Sequence, residues 1–185
     1  EKLLDVTERI DLDNLLKSRL DRYTLSEPML RRPRLATMFV TDAHGTILGI
    51  AYKQRVSREE NSAGKNFSYR TYFHGGRVDK PKDTTKILEM SPIAFTHLSA
   101  AFPSTATRLW KVAISTPIYL SDDRSKPDAI FVATVNLGDF ELLQSKEGSD
   151  QIAVLLEARE GPEQGTILQH PLMDTRRTAG IKAEG

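Results

Sequence analysis

Apolar positions near the start of the chain recur every three or four residues, and from residue 35 they give way to alternation. In "IDLDNLLKSRLDRYTL", Leu12, Leu15, Leu16, Leu20 and Tyr23 form one stripe, which predicts an amphipathic helix over residues 1–27. Asp11 or Asp13 is expected to cap its first turn, and Pro28 ends the pattern. Asp13, Lys17 and Asp21 read as the solvated side. Such a helix must lie on something.

Two β-rich runs follow, Ala36–Thr41 and Thr46–Tyr52, joined by the turn-forming "DAHG", which predicts a hairpin. A second pair is expected at Trp110–Leu120 and Ala129–Leu137 around the turn "SDDRSKPD". In the first of these runs Val112, Ile114 and Thr116 alternate, with Pro117 limiting the ladder. The second is apolar almost throughout, as a central strand should be. "DFELLQS" suggests a helical turn, and "QIAVLLEAREGPEQGTILQHP" another strand–turn–strand unit. The final "LMDTRRTAGIKAEG" has no apolar periodicity and is expected to fray. The predicted class is α+β: a long N-terminal helix packed on a PAS-like central antiparallel sheet. The expected parts are an N-terminal helix (1–30), an α+β core (31–150) and a C-terminal hairpin extension (151–185).

Between the two hairpins lies a long irregular stretch, too long for an idle connection, which argues for a binding insert. It opens with "GKNFSYRTYFHGG", where Phe67, Tyr69, Tyr72 and Phe73 surround Arg70. A core strand has no need of the arginine, and a solvated loop has no need of the aromatics. The mixture suits a pocket wall, with Arg70 presenting a planar fork to a carboxylate or phosphate. Tyr69 and Tyr72 add hydroxyls on rigid surfaces. If the segment is extended, residues 68, 70, 72 and 74 share a face, so that Arg70 and Tyr72 look at the ligand and Tyr69 and Phe73 at the core. The competing reading has Arg70 paired to an internal Asp or Glu with the aromatics as core filling. The residues by themselves leave both open.

Composition narrows the field. With 26 basic and 25 acidic side chains the formal charge is +1, so no global field draws in nucleic acid or a membrane surface. The basic "RRPR" at Arg31–Arg34 reads as a solvated turn. Cysteine is absent, which removes thiol catalysis, thiolate metal sites and disulfides. His44, His74, His97 and His170 have no metal-site spacing, and there is no GxSxG elbow and no phosphate-binding glycine loop. Asp122, Asp123 and Asp128 lack EF-hand spacing. No enzyme, metal site or cofactor is expected; no His or Cys is placed to hold haem or flavin. No apolar run reaches the ~18 residues of a membrane span. The chain starts at Glu1 without a leader and is read as an excised fragment whose membrane anchors lie outside it.

Taken in order, "MFVTDAHGTILG", "GKNFSYRTYFHGG", "HLSAAFPS" with "WKVAISTPI", and "IFVATVNL" resemble the Cache sensor domains over residues 1–145. These are extracytoplasmic ligand-binding modules of bacterial chemoreceptors, histidine kinases, cyclases and transmembrane serine/threonine kinases. The resemblance implies a helix that leaves the membrane and lies along the sheet. It also implies a ligand held between the sheet and the loops that carry the arginine motif. By that resemblance Arg70 binds a ligand carboxylate, Tyr72 and Phe73 line the site, Phe102 matches a pocket aromatic, and Asn136 stands where an acid often stands on the closing strand. Residues 151–185 are similar to the hairpin that opens the second module of double Cache domains.

Two departures stand out. Amino-acid-binding members show R-x-W-Y where this chain has Arg70-Thr71-Tyr72-Phe73, and Asn136 replaces the aspartate that grips a ligand ammonium. A neutral amide forfeits that charge-assisted bond. An α-amino acid is therefore disfavoured, and a carboxylic acid, another small metabolite or no ligand stay open. The expected function is a non-enzymatic extracytoplasmic sensor domain of a membrane receptor. The rival is a ligand-free spacer or homodimerisation module with the N-terminal helix as its interface.

Overall fold

The computed structural model describes residues 2–25, 35–82, 90–137, 154–161 and 164–170. A 3-10 turn at Lys2–Asp5 leads into helix α1, Thr7–Leu25. Strands β1 (Leu35–Asp42) and β2 (Ile47–Tyr52) form the expected hairpin, with Asp42 Oδ1 accepting the backbone N–H groups of His44 and Thr46 across its tip. A single helical turn, α2 (Thr71–His74), and the short strands β3 (His97–Leu98) and β4 (Phe102–Pro103) follow. Strands β5 (Trp110–Ile118) and β6 (Ala129–Asn136) make the second long hairpin. A two-stranded ladder of β7 (Leu155–Leu156) and β8 (Ile167–Gln169) realises the C-terminal strand–turn–strand pattern. The helical turn expected at "DFELLQS" and the fraying tail lie outside the described residues, as does "RRPR".

The architecture is α+β, with one antiparallel sheet in the order β2-β1-β6-β5-β3 and with β4 also paired to β5. Both hairpins meet at β1–β6, so the two most apolar strands are central and have neighbours on either side. One face of the sheet carries α1, which packs Leu16 and Leu20 onto Leu35, Met38, Ala51 and Val135. The other face carries the aromatic insert, where Phe39, Ile130 and Val132 meet Phe67, Tyr69, Tyr72, Phe73 and Phe102. A bulge between Leu35 and Thr37 decides which residue joins which layer. It sends Leu35 to the helix and Thr37 to the aromatic side, although uninterrupted alternation would put both on one face.

Helix α1 differs from expectation in three ways. It begins at Thr7, so Asp11 and Asp13 are interior residues and not caps. Leu12, Leu16 and Leu20 face the sheet, but Leu15 is 54% exposed and Tyr23 37%, because the β1–β2 surface accommodates only a narrow seam. Asp13 is not on the solvated side. Its Oδ1 accepts the Ile50 N–H at 2.7 Å, and its other oxygen pairs with Arg9 at 2.7 Å. β2 is an edge strand, and this carboxylate satisfies one of its outward donors. The 62–67 loop pairs with the start of that edge through Ile47 N–H to Lys65 O and Gly64 N–H to Ile47 O. Burial pushes the Asp13 carboxyl above its ordinary range, with the Ile50 bond and Arg9 opposing it.

The helix can come this close because residue 49 has no side chain. A Cβ at Gly49 would sit 2.7 Å from Leu12 Cγ and Cδ2 and 3.1 Å from Asp13 Oδ1. Overpacking costs about 1–3 kcal/mol, against an entropic gain of about 0.4–1 kcal/mol for glycine-to-alanine. Gly49→Ala is therefore expected to lower stability in denaturant titration. An unchanged midpoint would mean that α1 is not held tightly on β2. Among the described residues no helix is long and apolar enough to cross a membrane.

Candidate functional site

The segment around Arg70 is not extended, which corrects the expected sharing of faces. Arg70 itself is extended (φ −81°, ψ 146°), but Thr71–His74 make one helical turn, closed by Gly75 at φ 70° with its N–H on Thr71 O at 2.8 Å. A left-handed residue at that point favours glycine. The start of the turn is fixed from a distance, since Asp79 Oδ1 accepts the Thr71 N–H at 2.9 Å. Local pattern cannot show such a bond. The turn still delivers Arg70 and Tyr72 to a common cavity while Phe73, fully buried, goes to the core.

Arg70 is buried, and its Nη1 donates to Asp79 Oδ2 at 2.6 Å and its Nη2 to Pro103 O at 3.1 Å. Its Cζ lies 5.1 Å from the Tyr69 ring centroid and 5.0 Å from that of Phe102. Phe102 and Tyr72 are in turn 5.4 Å apart. The internal acid partner of the competing reading is thus present, and the arginine also has an aromatic cradle. A guanidinium has five N–H donors, so these two bonds leave others for the cavity.

The cavity, about 40 Å³, lies between the sheet and the loops of the arginine motif. Thr37, Phe39, Ile50, Phe102, Lys111 and Thr134 rise from the strands, and Arg70, Tyr72 and Ser104–Ala106 come from the intervening segments. Among the described residues lining it there is no carboxylate. Burial raises the Tyr72 phenol far above its ordinary pKa, so it stays protonated and able to donate.

Of the six residues singled out from sequence, Arg70, Tyr72 and Phe102 line this cavity. Tyr69 does not; its ring lies beneath the guanidinium, with Lys82 Nζ also 5.6 Å from the centroid. Phe73 is packing. Asn136 faces Lys111 across the β5–β6 ladder and lines an adjoining cleft with Lys53, Gln54 and Leu109. A second cleft, about 230 Å³, lies outside Arg70 and Asp79 and is walled by Trp110 and by Glu157, Arg159 and Gly161 of the C-terminal hairpin segment. Glu157 pairs with Arg159, which reaches Ser99 O at 3.5 Å.

Sequence reasoning missed Lys111 and Thr134. Lys111 is 3% exposed, and its Nζ donates to Thr37 Oγ1 at 2.7 Å. Thr134, 2% exposed, has a hydroxyl with no hydrogen-bond partner among the described residues. The available signal was the alternation of β5 itself. Val112, Ile114 and Thr116 alternate with Lys111, Ala113 and Ser115, and it is the second set that is buried, while Ile114 is 51% exposed. Ala113 and Ser115 are small because the rings of the insert already fill the space on that side.

His74 gives the site a pH dependence. Its Nδ1 accepts the Gly76 N–H, and Nε2 donates to Tyr69 O, both at 3.0 Å, an arrangement that requires the neutral ring. Burial lowers its pKa from 6.5, the Tyr69 bond opposing and Lys80 assisting. Burial lowers His97 as well. An imidazole depressed in the folded state binds its proton more readily when unfolded. Its stabilising contribution is therefore complete above pH ~6.5 and is lost as pH falls through the folded value. Denaturation midpoints are expected to fall from pH 7.5 to 5.5, and His74→Gln to flatten that slope. An equally steep slope in the variant would assign the effect elsewhere.

No protein-family model matches the chain, and no curated protein matches it.

Proposed function

We propose that this chain is the extracytoplasmic small-molecule sensor domain of a transmembrane receptor, of the Cache type and PAS-like in topology, without enzymatic activity of its own. One observation carries the reading: a buried arginine with donors to spare lines a cavity between an antiparallel sheet and the loop of the arginine motif. This is where the resemblance puts a ligand. The long helix on the opposite face, tied to edge strand β2 through Asp13, suits an output element. A ligand shifts such a helix only through unequal affinity for two arrangements. In the intact receptor the membrane would be engaged by segments beyond this domain.

The test is a thermal-shift screen against small carboxylates, amino acids, amines and nucleobases. A dose-dependent rise of several degrees is the expected result. If no compound shifts a folded preparation, the sensor reading fails.

A second reading has one observation in its favour. Asp79 pairs with Arg70 as a purely structural partner would, and in that reading the domain is a ligand-free spacer. The dimer interface in that reading is less supported. Ile10 and Leu15, 44% and 54% exposed, are five positions apart, about 140° around the helix. These two do not join in one apolar patch.

A further inference from the structure

Resting on the sensor reading, we propose that the cavity takes a carboxylate of two or three carbons, clamped between Arg70 on the loop and Lys111 with Thr134 on the sheet. Three observations converge on this. The first is polarity: two basic side chains line the same cavity, Arg70 from the loop and Lys111 from the sheet, and no acidic side chain lines it among the described residues. Phe102 pairs with Lys111 across the β4–β5 ladder, so the ring and the amino group share the face that looks inward.

The second is the orphan hydroxyl. Thr37 and Thr134 are register partners on β1 and β6, and Thr37 already accepts the Lys111 amino group. Thr134 is one of the residues lining the cavity, and its buried Oγ1 has no partner among the described residues. A buried hydroxyl in that position is destabilising until something accepts its proton. An anion is the acceptor that the neighbouring donors favour.

The third is size. A volume of about 40 Å³ is room for roughly three waters at 10–15 Å³ each. Waters sit ~2.8 Å apart, but bonded carbons only ~1.5 Å, so four or five bonded heavy atoms fit where three waters do. Acetate and propionate have that many. Alanine exceeds it and would also bring an ammonium toward Arg70 and Lys111.

The experiment is isothermal titration of the domain in carboxylate-free buffer at constant chloride. Sodium acetate and sodium propionate are the probes; acetamide, sodium hexanoate and alanine are the controls. Proton NMR of the supernatant after heat precipitation checks for a carboxylate that co-purified. The variants are Lys111→Met and Thr134→Val. The second removes only the hydroxyl and is expected to leave the unliganded protein as stable as before, or more so. Saturable acetate or propionate binding, or stoichiometric release of either on precipitation, with no response to the controls, is the expected result. Either variant should weaken binding about tenfold or more, as loss of a donor to an anion does.

Tight binding of a different compound class, lost on Arg70→Ala but untouched by Thr134→Val and Lys111→Met, would overturn this assignment and leave the sensor reading standing. Acetate binding indifferent to both variants would likewise overturn the two-sided clamp. No binding by any compound and no released carboxylate would overturn both readings.

Discussion

Arg70→Ala is expected to remove ligand binding altogether and to destabilise the domain by about 3 kcal/mol, the lower end of the range for breaking a buried ion pair from one side. The lower end applies because the Asp79 side chain is 27% exposed, so water can partly replace its partner. Asp79 would also keep its bond to the Thr71 N–H. Further loss comes from Tyr69 and Phe102, each of which has the guanidinium about 5 Å from its centroid and so forfeits a cation–π contact of about 0.5–2 kcal/mol. Arg70→Lys should recover part of the stability and little of the binding, since an ammonium cannot serve Asp79, Pro103 O and a carboxylate through one planar fork. The measurements are a denaturant titration and a titration with sodium acetate. A double-mutant cycle with Asp79→Ala then isolates the pair. A loss below 1 kcal/mol with unchanged binding would reduce Arg70 to packing.

What the sequence revealed and concealed follows from the range of the interactions involved. The two hairpins were legible because alternation and turn chemistry act between near neighbours, and "IFVATV" announced a strand buried on both faces. Helix α1 was legible as a helix. Its partner surface was not, so Leu15 and Tyr23 were put on the stripe and Asp13 in solvent. Arg70 was conspicuous as a cation among aromatics. Its conformation was concealed because the turn beginning at Thr71 depends on Asp79, eight positions on, in the charged stretch "RVDKPKDTTK" that reads as solvated. Lys111 was hidden for the opposite reason. A single lysine in an alternating strand looks like a surface residue, and only its register beside Asn136 on β6 and Phe102 on β4 turns it inward. Thr134 carries no signal by itself. It matters because the strand pairing puts it opposite Thr37, and its hydroxyl has no hydrogen-bond partner among the described residues.

Phe102→Ala should separate the stability of the cavity from its selectivity. The ring is 6% exposed and touches both Tyr72 and Arg70. Burying alanine there instead costs about 3–5 kcal/mol, part of it for the space left behind. That space opens directly into the existing cavity, because Phe102 is one of its walls. The variant should therefore lose its preference for acetate and gain affinity for benzoate, whose ring can occupy the vacated volume while its carboxylate reaches Arg70 and Lys111. Added benzoate should then raise the variant's melting temperature in proportion to the logarithm of its concentration, and acetate should no longer do so. The wild-type domain should show the reverse, since its cavity has no room for a ring. If the variant loses stability yet ranks acetate and benzoate as the wild type does, Phe102 is not the wall that limits ligand length. The cavity between the sheet and the arginine loop is then not where the ligand sits.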